Sequence, residues 1–275
     1  MYRLGWFSTG RGESSQRLLK TVQETIVTGD LKVEIEFVFC SREYGETDAT
    51  DQYLRMVEGY GIPLVCFSYQ KYRRARGTKR PSVEEPMPEW RLDYDREVMA
   101  RIARFEPDLC LMAGFLLILG AEMANRYDFI NLHPAAPGGP IGIWQDVIWQ
   151  LIETGVEETG AMMHLAVPEL DKGPVVSYCK FSIRGERFDM AWQEVGRSSS
   201  VEEIRRIEGE DNALFQLIRQ GGVAREVPLI VATIRAFCLG RMRIKADRQV
   251  VDAAGRAING YDLSGEIDDL IENVD

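Results

Sequence analysis

At 275 residues the chain can bury a sizeable core, as one large domain or one domain with a small appendage. Its formal charge of −10, from 33 Lys and Arg against 43 Asp and Glu, argues against a general nucleic-acid or anionic-membrane partner. Apolar residues make up 45 % of the chain, and no apolar run approaches the roughly 20 residues of a membrane span.

Residues 3–7 predict a first strand that enters a turn, Ser8-Thr9-Gly10-Arg11-Gly12-Glu13-Ser14-Ser15, and this start does not read as a signal peptide. Leu18, Leu19, Val22, Ile26 and Val27 recur at helical spacing until Gly29. Strand, glycine turn and helix form a βα unit whose helix N-terminus offers free N–H groups to an anion. Gly10, Arg11, Gly12, Glu13 and Ser14 are therefore candidate phosphate-loop residues. Two glycines serve a plain tight turn equally well, and the Glu13 carboxylate repels phosphate unless Arg11 offsets it or it points outward.

A second strand is expected over residues 33–40, a helix over 51–60 and a third strand over 63–67. Residues 69–90, with Lys71, Arg73, Arg74, Arg76, Lys79 and Arg80 followed by three prolines, read as an irregular segment. A solvated basic loop is the plainer reading; a flap that binds an anionic substrate is the functional one. A helix is expected over 94–105 and a buried strand over 108–113, followed by Gly114-Phe115-Leu116-Leu117-Ile118-Leu119. Strands alternating with helices indicate an open, mostly parallel α/β sheet, in which ligands sit at the carboxyl ends of the strands.

Residues 129–133 predict a short strand that runs into a Pro/Gly loop. Asn131 and His133 then project to one face, about 7 Å apart. An amide and a protonated imidazole so placed can donate to a developing oxyanion; an interior pair that satisfies loop backbone is the alternative. Beyond them come a helix over 144–153, a strand over 159–167 in which His164 reads as a packed residue, and a tight turn at 168–174. Asp171 sits at the tip of that turn and an antiparallel strand follows over 175–183. Residues 184–200 read as a connector, 201–220 and 225–239 as two helices broken by Gly221-Gly222, and 242–261 as a small hairpin. A short acidic helix capped by Ser264 ends the reading. The expected division is an α/β domain over 1–183 and C-terminal helices and hairpin over 184–275. Five scattered cysteines without a CxxC pair indicate reduced thiols in a cytoplasmic protein and no structural metal site.

These residues resemble the formyltransferases that use 10-formyltetrahydrofolate, over roughly residues 3–183. The most specific piece is NLHPA followed by LDKGPVV, similar to the family's N-x-H-P…D-x-G-P pattern; TGRGESS, AGFLLIL and WRLDYDRE support it. The resemblance implies a Rossmann-like fold and an Asn131, His133 and Asp171 constellation. In it the first two stabilise the oxyanion, while Asp171 supports the imidazole and takes the amine proton directly or through a water. It also implies an acceptor phosphate on residues 10–14, Arg91 near ligand carboxylates, and a pterin against Phe115, Leu116, Leu117, Ile118, Leu119 and Leu170. Departures from the family pattern are Glu13 in the loop, Leu117 in place of an arginine, and Gln220 and Val223 in place of a Lys and a Glu.

The co-substrate implied is 10-formyltetrahydrofolate, with small-molecule substrates, no metal, no nucleic acid and no membrane, and with a homodimer left open. The acceptor implied is phosphoribosylglycinamide. Alternatives are another amine such as an amino sugar nucleotide, hydrolysis of the formyl donor, and a non-catalytic folate-binding relative.

Overall fold

Apolar period two at 33, 35, 37 and 39 and period three to four at 18, 19 and 22 set the local choice between strand and helix. The computed structural model describes residues 1–79, 86–168, 172–197 and 200–272. Its contacts divide it into two units: Met1–Asn131 with Leu165–Gly173, and Leu132–His164 with Pro174–Asp275.

The first unit opens with β1 (Tyr2–Ser8), α1 (Glu13–Val27), β2 (Val33–Cys40), α2 (Asp48–Gly59), β3 (Leu64–Cys66) and α3 (Tyr69–Ala75). It continues with α4 (Glu89–Ile102), β4 (Leu109–Met112), α5 (Ala121–Arg126) and β5 (Phe129–His133), whose last two residues fall in the second unit. The strands lie in the order β5-β4-β1-β2-β3 and every pairing between them is parallel. Phe7, fully buried at the centre, meets the rings of Phe37, Phe39, Phe115 and Phe129 at centroid distances of 5.6, 5.3, 5.8 and 4.8 Å. Burying each such ring contributes about 1.5–3 kcal/mol. From β1 the chain winds out to β2 and β3, then returns to the other side of β1 for β4 and β5. The carboxyl ends of β1 and β4 therefore flank the point where the winding reverses, the crevice in which open α/β sheets take ligands.

The second unit holds α6 (Trp144–Thr154), most of β6 (Glu158–Leu165), β7 (Val175–Ser182), α7 (Glu186–Arg197), α8 (Val201–Ile207) and α9 (Ala213–Cys238). The hairpin β8 (Met242–Ile244) and β9 (Val250–Asp252), then β10 (Tyr261–Asp262) and α10 (Ser264–Glu272), complete it. β6 and β7 are antiparallel and β10 adds to β7 in parallel. Its core gathers Val147, Ile148, Ile152, Leu214, Phe215 and Ile218 from α6 and α9. Residues 184–275 lie wholly in this unit.

Several expectations are corrected. Residues 69–75 form α3, which Ser68 caps by accepting from Lys71 N at 3.0 Å, and α4 begins at Glu89, before the expected 94. The expected connector contains α7. The helix expected over 201–220 is instead α8, a 3-10 turn at Gly209–Asp211, and the start of α9, where Asn212 Oδ1 accepts from Phe215 N at 3.0 Å.

α9 itself runs unbroken through Gly221-Gly222 and Pro228. A Cβ on Gly221 would lie 2.6 Å from the Phe181 ring, so this glycine permits close helix-to-strand packing where an interruption was expected. Asp262, not Ser264, serves the start of α10, with Oδ1 accepting from Ser264 N at 2.9 Å. The Ser264 hydroxyl accepts from Lys180 N at 3.0 Å.

Candidate functional site

Thr9 N donates to Gly114 O at 3.0 Å, tying the turn after β1 to the segment after β4 where the winding reverses. Gly114 has φ +69°, and a Cβ there would meet Ser15 Oγ at 2.7 Å, so both conformation and space call for glycine. Gly10 N donates to Ser8 Oγ at 3.1 Å and Gly10 O accepts from Thr50 Oγ1 at 3.0 Å, which holds the turn from both sides. Gly12 starts α1 in extended conformation and no side chain caps the first-turn amides. Arg11, Glu13 and Ser14 are exposed. The Glu13 carboxylate is therefore hydrated and screened, and its place in the first turn of α1 suits the helix dipole.

Beside this turn lies a small open cleft lined by Thr9, Arg11, Ser41, Arg42, Tyr69, Gln70, Leu116 and Leu117. Three of its walls hold together through Thr9 Oγ1, which accepts from Ser41 Oγ at 3.3 Å and from Leu116 N at 3.1 Å. Ser41 and Arg42 escaped the sequence reading. They follow β2 directly, so the signal was their position at the carboxyl end of a strand neighbouring β1. Beneath the turn, burial pushes the Cys40 thiol up to about 12, which keeps it a neutral packing group.

Residues 115–119 divide between two roles. Phe115 and Leu119 are core residues, while Leu116 is exposed and borders the cleft with Leu117. The Ile118 carbonyl accepts from Arg91 Nη2 at 2.6 Å. Arg91 was expected beside ligand carboxylates; the structure places it inside the first unit at 3 % exposure, paired with Asp95. The second Asp95 oxygen accepts from Gly120 N at 2.7 Å, and the Tyr69 and Tyr94 rings flank the guanidinium. An i,i+4 spacing on α4 puts the pair together, and its two outer bonds hold both ends of the 118–120 backbone. Burial pushes the Asp95 carboxyl up, while the Arg91 charge opposes that shift.

Asn131, half-buried, pairs with Met112 at the carboxyl end of β5 in the first unit. His133, at the end of the same strand, is 2 % exposed in the second unit, where Nε2 lies 2.8 Å from Pro140 O. A carbonyl only accepts, so Nε2 is the donor in this bond. His164 is buried with its ring centroid 6.2 Å from that of His133. Leu170 and Asp171 lie outside the described residues. Among the described residues no group of three His, Cys, Asp or Glu can hold a metal ion, and no helix is long and apolar enough to cross a membrane.

A family model described as Formyl transferase matches residues 9–187, well over half of the chain. A phosphoribosylglycinamide formyltransferase of Schizosaccharomyces pombe is 26 % identical over 176 residues, 61 % of this chain and 77 % of that one. Its Escherichia coli counterpart is 34 % identical over 92 residues, 33 % of this chain and 42 % of that one. The solved glycinamide ribonucleotide transformylase 1 of Symbiobacterium toebii superposes with a TM-score of 0.61 at 20 % identity, over 92 % of this chain and 94 % of that one. At that identity the likeness is one of fold: a mostly parallel, Rossmann-like sheet with flanking helices.

Proposed function

The chain belongs to the formyl transferase family, and from that premise we propose that it moves a formyl group from 10-formyltetrahydrofolate to the amine of phosphoribosylglycinamide, a step of purine biosynthesis. The observation that carries the reading is the Asn131-Leu132-His133-Pro134 sequence at the end of β5, inside the stretch that the family model matches. The acceptor follows from the names of the relatives.

In this reading the acceptor amine attacks the formyl carbon and the carbonyl oxygen becomes an oxyanion. Asn131 and protonated His133 donate to it, and Asp171 supports the imidazolium and takes the proton that the amine loses, directly or through a water. That proton passes to the folate nitrogen as its C–N bond to the formyl carbon breaks and the carbonyl re-forms. No covalent enzyme intermediate is required. The bond from His133 Nε2 to Pro140 O supports the assignment, because it orients the ring and sets its tautomer before substrate arrives. The turn at Gly10–Ser14 suits the acceptor phosphate through the uncapped amides of α1. The flank of 116–118 suits the folate, with backbone groups and leucines for a flat, largely apolar ring.

The test is formyl transfer from 10-formyltetrahydrofolate, followed by absorbance of the deformylated folate, with phosphoribosylglycinamide and with no acceptor. Turnover that depends on the acceptor is expected. His133→Ala or Asp171→Asn should lower kcat by about 10²–10⁴ while folate binding stays near wild type. Turnover without acceptor would make the protein a hydrolase of the formyl donor. Folate binding with no turnover would send the acceptor search to other amines.

A further inference from the structure

Two arginines from different segments converge on the cleft at the edge of the first unit: Arg11 from the turn after β1 and Arg42 from the end of β2. Neither makes an ion pair among the described residues. In a chain with 43 carboxylates against 33 Lys and Arg, that pairing of bare cations is unexpected. The carboxylate nearest to Arg42 in sequence is engaged elsewhere: Glu43 holds Lys71 Nζ at 2.8 Å and accepts from Ser68 N at 2.9 Å. No carboxylate lines the cleft among the described residues; Thr9 and Ser41, whose hydroxyls bond to each other, and Leu116 and Leu117 line it with the arginines.

Two arginines and two hydroxyl residues beside two leucines are side-chain types suited to an oxyanion borne on a larger molecule. The turn at 10–14 and the arginine expected from residue 91 do not account for Arg42, and Arg91 is committed to Asp95. We propose that Arg42 and Arg11 clamp a phosphate or carboxylate group of a substrate in this cleft, with Arg42 as a specificity-determining residue. The shared chemistry is an oxyanion, which the acceptor's phosphate or a carboxylate of the folate donor can each supply. Which of the two it is rests on the formyl-transfer reading; the anion site itself does not.

Two experiments separate these levels. In the first, binding of inorganic phosphate and of glutarate is measured by calorimetry at low ionic strength on the full chain, without reference to turnover. Arg42→Gln and Arg11→Gln should each weaken the preferred anion about tenfold, Arg42→Lys should recover part of the loss, and Arg74→Gln on α3 should change nothing. Equal melting temperatures would show that the variants are folded. Anion binding that is unchanged in Arg42→Gln, or that falls equally in Arg74→Gln, would overturn the site.

In the second, KM for each substrate is measured in Arg42→Gln. A rise for phosphoribosylglycinamide alone assigns the clamp to the acceptor phosphate, and a rise for the formyl donor alone assigns it to a folate carboxylate. No change in either KM would overturn the specificity role. A protein that binds phosphate through Arg42 yet transfers no formyl group would keep the anion site and discard the reaction.

Discussion

Removing the Arg91 guanidinium leaves the Asp95 carboxylate buried without its counter-charge and the Ile118 carbonyl without its donor. Breaking a buried pair from one side costs about 3–5 kcal/mol, because the remaining charge is left desolvated. Arg91→Met should therefore lower stability by that amount in urea unfolding, and Asp95→Asn by a similar amount, since it leaves the Arg91 charge buried and offers one acceptor oxygen to two donors. A loss under about 1 kcal/mol for Arg91→Met would mean that water reaches the pair and that the arginine is available to a ligand.

Within α9, helix propensity and packing point in opposite directions at Gly221. Alanine is favoured over glycine in a helix interior by about 1 kcal/mol. The added Cβ would sit 2.6 Å from the Phe181 ring, and forcing that contact costs about 1–3 kcal/mol. Gly221→Ala should thus destabilise the protein slightly, and the sign should reverse in a Phe181→Ala background. Thermal unfolding of the four members of that cycle measures the coupling; a stabilised Gly221→Ala single variant would show that the strand yields and that the glycine is incidental. Pro228 makes the related point, since the helix continues past a residue that cannot donate its backbone bond. Long-range burial on both sides of that position outweighs the missing hydrogen bond: Leu214 and Phe215 before it and Leu229, Ile230 and Ile234 after it are all at 1 % exposure or less.

For the whole molecule, an excess of carboxylates makes stability sensitive to acid, and Glu43 shows how one of them contributes. Its hydrogen bond to the Lys71 ammonium, with that from the Ser68 amide, holds it below the usual glutamate value of 4.5. The unfolded chain therefore takes up this proton before the folded one does. The stability Glu43 adds is complete above pH 4.5 and is lost as the pH falls through its depressed value. Urea unfolding of Glu43→Gln and wild type should differ near neutral pH and converge in acid. A constant difference at every pH would place its contribution in packing and hydrogen bonding, not in charge. The pair is partly exposed, so the effect should be small and should shrink with added salt.

The alternation of strands and helices through residue 133, the glycine turn after β1 and the Asn131–His133 strand were all legible in the amino-acid sequence. Each depends on hydrophobic period or turn chemistry within a dozen residues, where local interactions decide the outcome. The strand order β5-β4-β1-β2-β3 was not, because parallel strands are joined through distant crossovers and no local signal records which neighbours they choose. The pairing of Arg91 with Asp95 and the Ile118 carbonyl, and the place of Ser41-Arg42 after a strand beside β1, appear only once distant segments come together. Sequence by itself determined the βα units and the order of strand and helix along the chain. Tertiary structure alone decided which cations are paired within the protein, because the partner of a charged side chain is set by segments far away in the chain.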